Sequence, residues 1–576
     1  MKNKNIIVDF IFKNKMSYII GLIFMLFGTY VQTIFPRILG DTIDILSTDN
    51  FNKTWILKNI AIIMLVSLVA FTCTYIWRNL IIRNSRKLEG YLRERLYTHL
   101  QKMGPEFYSK RKTGDLIAYA INDIGAVRMT LGPASAMAIN GMGLSVATVA
   151  AMSRTVNFKL AMMCLIPIPI IILLIIKVGK YIRIKFKRVQ ESFSDISGKI
   201  QENIYGIRVI KAYAQEAEEL KNFEELNNNM MDANLSMVRL SAVISPVIEL
   251  CFSISFVTNL IIGGNMVLKG EISLGGFVAF NTYLTMIMVP IMNIGRIINI
   301  IQRGAASYKR LIEILNVKPD IKDGLAMVNS EINGNIKINN LSFAYPQSEI
   351  NALEHIDIEI RPGGTLGIIG KTGSGKTTLV NLLLKLHNVE NNKILIDGID
   401  INDYSLENLR NAFGYVPQDA FLFHATVKEN IGFFKNSYTV EEIENSVKNS
   451  CIYESIKNLS EGFDTVLGER GVNLSGGQKQ RVSIARALIK DPPILILDDS
   501  LSAVDTVTEK RILDNFKALR RGKSTIIISH KISSISHADE IILLDEGKIC
   551  ERGTHEELIE KRGDYYEIYQ EQSGTK

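Results

Sequence analysis

Residues 365–387 read TLGIIGKTGSGKTTLVNLLLKLH. The opening TLGIIG is a short buried-strand pattern, and TTLVNLLLKLH at the other end is a helical one. Between them, Gly370 to Thr377 fits the spacing G-x-x-x-x-G-K-[ST]. Strand, glycine turn and helix form the setting in which that spacing has a mechanism. Glycines let successive backbone N–H groups close around phosphate oxygens, and the helix N-terminus adds positive potential. The expected phosphate contacts are Gly370, Lys371, Thr372, Gly373, Ser374, Gly375, Lys376, Thr377 and Thr378. Lys376 should reach the β- and γ-phosphates of a nucleotide, and Thr377 should ligate Mg2+.

Working outward, ILIL at 494–497 is a second buried-strand run, ending at Asp498. A single carboxylate there suffices for Mg2+, which prefers oxygen ligands and keeps several waters. The next residue is a second acid, Asp499. Upstream lies LSGGQ at 474–478, followed by the helical pattern KQRVSIARALIK. Ser475 supplies a hydroxyl, and Gly476, Gly477 and Gln478 open a helix, so this is a second anion site.

The phosphate loop, LSGGQ and Asp498, together, resemble the signature of ATP-binding cassette (ABC) ATPases. The resemblance extends to Tyr345 in SFAYP, which looks like the adenine-stacking aromatic, and to Gln418 in YVPQD, like the Q-loop glutamine with a Mg2+ role. SAVD at 502–505 resembles the D-loop. His530 in IISHK resembles the switch histidine that contacts the γ-phosphate. It implies ATP as the nucleotide, Mg2+ as its metal, and catalytic roles for Asp499, His530 and Gln418.

The N-terminal half is of another kind. Six apolar runs, at about 17–38, 56–82, 132–154, 159–180, 242–268 and 274–298, each reach the roughly 20 residues that a bilayer core requires. The expected fold is an all-α transmembrane domain of six helices over 1–315, a polar linker over 316–335, and an α/β P-loop cassette over 336–576. Trp55 and Trp77 bracket the second run as interfacial anchors. The net charge of +7 invites nucleic acid as a partner. The Lys and Arg residues, however, crowd segments 83–112 and 177–239 beside apolar runs, which fits membrane topology instead. The segment near 39–55 carries Asp41, Asp44 and Asp49 with only Lys53 opposing them. The positive-inside rule then places the basic segments, both termini and the cassette in the cytoplasm, as a multi-pass plasma-membrane protein with a bacterial cast to its composition. Pro167, Pro169, Pro246 and Pro290 fall inside the runs as kink or hinge points. Glu249 and Arg296 are ionisable groups toward the cytoplasmic side, expected as a pair or a substrate contact. Asn281, Asn293 and Asn299 fit helix packing or substrate contact equally. Five scattered cysteines without a CxxC pair read as free thiols.

Six spans ahead of one cassette resemble an ABC exporter half-transporter. EFYSKRKTGDL at 106–116 and IYGIRVIKAYAQE at 204–216 resemble its two cytoplasmic loops, and GERG at 468–471 its loop before the signature. One phosphate loop and one signature per chain imply a second half-transporter, since in this family the two cassettes sandwich each ATP between them. The family usually has Glu after the strand aspartate, where Asp499 stands. A carboxylate one methylene short retreats by roughly 1 Å, and such a misplacement can cost ~100-fold in rate. The chain thus resembles the degenerate-site subunit of heterodimeric multidrug exporters. Its signature would complete a competent site on a partner that keeps Glu, and it would export hydrophobic small molecules. The retained His530 departs from some degenerate sites. A homodimeric exporter or a lipid flippase fits the same motifs, as does an ATP-gated channel or a nucleotide-binding membrane sensor.

Overall fold

A computed structural model of the chain describes residues 6–47, 53–321, 323–324, 330–346, 348, 350–433, 438–468, 471 and 473–573. Glu469 and Arg470 of the GERG motif, Asp49, and part of the expected linker lie outside the described residues. The chain groups into two compact units, 1–101 with 112–317 and 102–111 with 318–576.

The first unit is helical. Its six long apolar helices are α1 (Lys15–Leu46), α2 (Thr54–Leu100), α3 (Thr113–Thr155), α4 (Phe158–Tyr205), α5 (Glu216–Leu268) and α6 (Leu274–Leu315). At 42 to 53 residues, α2 to α6 are about twice as long as a bilayer requires. Hydropathy marks only the part of a helix that needs an apolar sequence; the basic extension after residue 82 continues α2 without a break. Polar residues fix where helices begin. The Asn157 side chain accepts from the Lys159 and Leu160 amides at the start of α4, and Ser273 caps α6 through the Gly276 amide. Pro167 follows a break at Ile166, Pro246 lies in the first turn after a break at Val243, and Pro290 stays inside α6.

Helices α1 and α6 cross at two glycines. A Cβ on Gly275 would lie 1.9 Å from the Gly40 carbonyl oxygen, so only glycine permits the approach. Beside the crossing, the Asp44 carboxylate accepts the Gly275 amide at 2.6 Å. Asn259 of α5 donates to the Asn281 side chain at 2.9 Å, which makes Asn281 a packing contact. Arg310 of α6 grips Asp123, on α3, with Nε 3.3 Å from one carboxylate oxygen and the second nitrogen on the other. Met152, Leu160, Phe252, Phe280, Tyr283 and Ile287 form the buried centre. Glu249 and Arg296 are both exposed. An apolar cavity of about 530 Å3 opens among α3, α4 and α6, with Gly141, Ser145, Leu165, Pro169, Ile291 and Ile297 in its wall.

The second unit is built on two sheets. The smaller, of order β2-β1-β4-β5, comprises β1 (Ile336–Ala344), β2 (Asn351–Ile360), β4 (Ile394–Ile396) and β5 (Ile399–Asp400). The larger has the order β10-β9-β3-β8-β7-β6, from β3 (Thr365–Ile369), β6 (Phe413–Val416), β7 (Ile494–Asp498), β8 (Ser524–Ile528), β9 (Glu540–Asp545) and β10 (Lys548–Gly553). Strands β9, β3, β8, β7 and β6 run parallel; only β10 is antiparallel. Parallel strands covered on both faces read as continuous apolar runs, and β7 and β8 are buried at every position. Their C-terminal ends share one edge, where the loops of such sheets collect ligands.

Candidate functional site

Strand β3 leads into the phosphate loop, and helix α7 (Lys376–Leu383) follows it. The helical pattern predicted as far as His387 stops earlier. Lys385 is left-handed at φ +48°, and its ammonium turns in to the Ile401 carbonyl at 3.3 Å. Three loop glycines have separate reasons. Gly373 and Gly375 sit at φ +85° and +102°, which side chains other than glycine rarely adopt. A Cβ on Gly370 would lie 2.1 Å from the Leu544 carbonyl oxygen. The turn therefore holds its amides around a hollow, and Lys376 is folded across it. Its ammonium donates to the Gly370 and Lys371 carbonyls, both at 2.7 Å.

The hollow is part of a cavity of about 350 Å3 lined by Tyr345, Thr372 to Thr378, Gln418, Asp498, Asp499 and His530. These residues come from five places in the chain and meet because β3, β6, β7 and β8 end side by side. Tyr345 follows β1, with its hydroxyl 3.0 Å from the Thr378 hydroxyl oxygen. Gly370 and Lys371 support the loop from outside the lining. Asp498 is 2% exposed. Burial pushes its carboxyl above the ordinary range, and the Asp499 charge adds to this; hydrogen bonds from Thr377 and Tyr415 and the Lys376 charge oppose it. Burial likewise lowers the Lys376 ammonium, against the pull of Asp498 and Asp499.

Asp499 stands one residue beyond the strand. Its backbone is left-handed at φ +44°, uncommon outside glycine. Its amide donates to the Ile528 carbonyl at 2.8 Å, which ties it to β8. Gln418 Nε2 donates to its carboxylate at 3.3 Å. Two predicted residues of separate loops are thereby in direct contact.

The signature residues are elsewhere. Ser475, Gly476, Gly477 and Gln478 begin helix α8 (Gly476–Leu488) and are absent from the cavity lining. Ser475 and Gln478 form a capping box, so the hydroxyl already accepts the Gln478 amide, and the Gln478 side chain accepts the Ser475 amide. The helix start is less open than the motif suggests. Gly477 has a packing reason as well: a Cβ there would lie 2.6 Å from the Ala503 carbonyl oxygen. Gln480, which the motif does not include, binds the Ala503 amide at 3.1 Å and so joins α8 to the SAVD turn.

The pattern of ABC transporter transmembrane regions matches residues 18–291, and that of ABC transporter cassettes matches 353–502. The chain is 36% identical over 557 residues, 97% of its length, to the "Probable multidrug resistance ABC transporter ATP-binding/permease protein YheI" of Bacillus subtilis (strain 168), covering 95% of that protein. The chain belongs to the ABC transporter family. It is also 36% identical over 509 residues to the ATP-dependent lipid A-core flippase of Syntrophus aciditrophicus (strain SB), covering 88% of this chain and 84% of that one. A solved structure of a bacterial Atm1-family ABC exporter with ATP bound shares the fold at a TM-score of 0.79 and 23% identity, over 97% of this chain and 99% of that one. The chain is an ABC half-transporter with six membrane helices fused to one cassette, and its cassette belongs to the ATPases that couple ATP hydrolysis to transport. ABC exporters work as dimers and act on lipophilic substrates in the membrane.

Sequence reasoning overlooked Tyr415, Gln480 and Glu509 in the cassette of this half-transporter. Tyr415 lies under Asp498, with its hydroxyl 3.5 Å from the carboxylate and its ionisation pushed up by burial. The sequence signal was slight: Tyr415 is the only hydroxylated residue of the strand Phe413–Val416.

Proposed function

We propose that the chain is the ATP-driven efflux subunit of a heterodimeric ABC exporter, with a slow ATP site at its own phosphate loop. Asp499 carries the reading. Its carboxylate comes from the turn just past β7 and is held by Gln418 on a backbone tied to β8. A glutamate on the same backbone would extend its carboxylate one methylene further. The residue meant to orient and deprotonate the attacking water is therefore set back, where a shift of about 1 Å can cost ~100-fold.

The residues fit ATP and Mg2+. The left-handed glycines and the Gly370 contact make a cradle that a Cβ would fill, and the buried Asp498 carboxylate with the Thr377 hydroxyl is a hard oxygen donor set. Thr377, Asp498 and Gln418 hold the metal in this reading, which supplies charge neutralisation at the phosphates. Lys376 and the loop amides bind and orient the β- and γ-phosphates, Tyr345 stacks on the base, and His530 contacts the γ-phosphate. Ser475, Gly476, Gly477 and Gln478 complete the site of a partner that keeps Glu after its strand aspartate.

The apolar cavity supports a lipophilic cargo, as do the multidrug and lipid flippase names of the relatives. The Lys and Arg of 83–112 and 177–239 support cytoplasmic termini and cassette, with 1–315 as membrane domain, 316–335 as linker and 336–576 as cassette.

ATPase turnover of the reconstituted pair tests the asymmetry. Glu→Gln at the partner should abolish turnover, and Asp499→Glu should raise turnover at this chain's site. If the partner change leaves turnover intact, the unequal sites are refuted. The complete signature and retained His530 favour a second reading, a homodimer of two equal sites, which brisk transport by this chain alone would support.

A further inference from the structure

His530 follows β8 on a short connection into the helix Ile532–Ile535. Its side chain is exposed, and no hydrogen bond to its ring is made among the described residues. The ring must be aimed by its backbone. That backbone is held from the helix Asp564–Ser573. Gln572 accepts the Ile532 amide at 2.8 Å through Oε1 and donates to the His530 carbonyl at 2.7 Å through Nε2. One planar amide thus spans the tripeptide that begins with His530. The helix has its own anchor: Tyr565 is fully buried, with its hydroxyl 2.8 Å from His555 Nδ1. From the helix Thr506–Leu519, the buried Glu509 takes Lys531 Nζ at 3.3 Å and the Ser534 hydroxyl.

We propose that Gln572 is a positioning residue for ATP hydrolysis: it fixes the backbone at and just after His530 and keeps the imidazole directed into the nucleotide cavity. The proposal rests on reading His530 as the γ-phosphate contact. Gln572 is not among the residues lining that cavity, so its loss acts on turnover and leaves affinity alone. The two bonds replace hydrogen bonds to water, which limits the effect to a modest one.

The test uses the full-length transporter with its partner in lipid nanodiscs, in an Asp499→Glu background that makes this chain's site measurable. Gln572→Met keeps the side-chain length and removes both bonds. It is expected to lower kcat about three- to tenfold with KM for ATP unchanged, and to add nothing to His530→Ala. Gln572→Glu keeps the acceptor for Ile532 and loses the donor to His530; it gives the same kcat loss should methionine unseat the helix. The inference is overturned if kcat is unchanged in both variants, if KM moves with it, or if the effects of Gln572→Met and His530→Ala multiply. A silent His530→Ala removes the reading of the site and this inference with it; an active His530→Ala beside a silent Gln572→Met removes the inference alone.

Discussion

Asp498 and Asp499 are neighbours in sequence, yet the chain places them in different surroundings. Asp498 ends a fully buried strand, and burial holds its carboxyl above the ordinary 3.8. The native chain therefore binds that proton more tightly than the unfolded chain does. Stability falls as pH climbs from 3.8 through the raised value and stays reduced above it. Asp498→Asn removes this cost, together with the carboxylate proposed for the metal. Thermal unfolding without nucleotide should give a higher Tm for the variant at pH 7, with the gap closing as the pH is lowered toward 4; an equal gap at both ends contradicts the burial argument. Asp498 was legible because a strand of continuous apolar residues ending in an acid has few other uses. The left-handed backbone of Asp499 and its contact with Gln418 were not. Both depend on β8 and β6 lying beside β7, and the spacing of residues along the chain does not encode that adjacency.

Among elements, glycine contacts make the sharpest predictions. Gly477→Ala forces a Cβ to 2.6 Å from the Ala503 carbonyl, so α8 has to leave the SAVD turn. Because the phosphate loop lies elsewhere, ATP affinity of this chain should be unchanged, while turnover of the assembled transporter falls about tenfold or more; loss of ATP binding contradicts the separation of the two surfaces. In the membrane unit, Gly275→Ala meets the Gly40 backbone and parts α1 from α6. It should lower the Tm of the detergent-purified protein, and Gly264→Ala on α5, with nothing nearby, should not. The existence and order of the six long helices were legible from hydropathy. Their ends were not, because the aqueous half of α2 is held by ordinary helix-forming polar residues that carry no apolar signal. Gln572 was equally hidden: a lone glutamine in a polar helix shows no period and matches no motif.

At the scale of the whole molecule, the order of parts was legible because each carries its own marker: apolar runs for the membrane helices, and a glycine loop with a signature for the cassette. The boundary between the units was less so. Residues 102–111 group with the cassette although they lie between α2 and α3 in sequence. The chain has one phosphate loop and one signature, and its own signature residues are not in the lining of its own nucleotide cavity. A second chain must supply the missing surface, and in the proposed heterodimer its cleavage chemistry differs from that of this one. The most direct measurement is ATP turnover by this chain purified alone and reconstituted in lipid. Its turnover should be at least tenfold below that of the chain co-assembled with a glutamate-bearing partner, with ATP still bound. Full-speed hydrolysis and transport by this chain alone would contradict the proposed heterodimer.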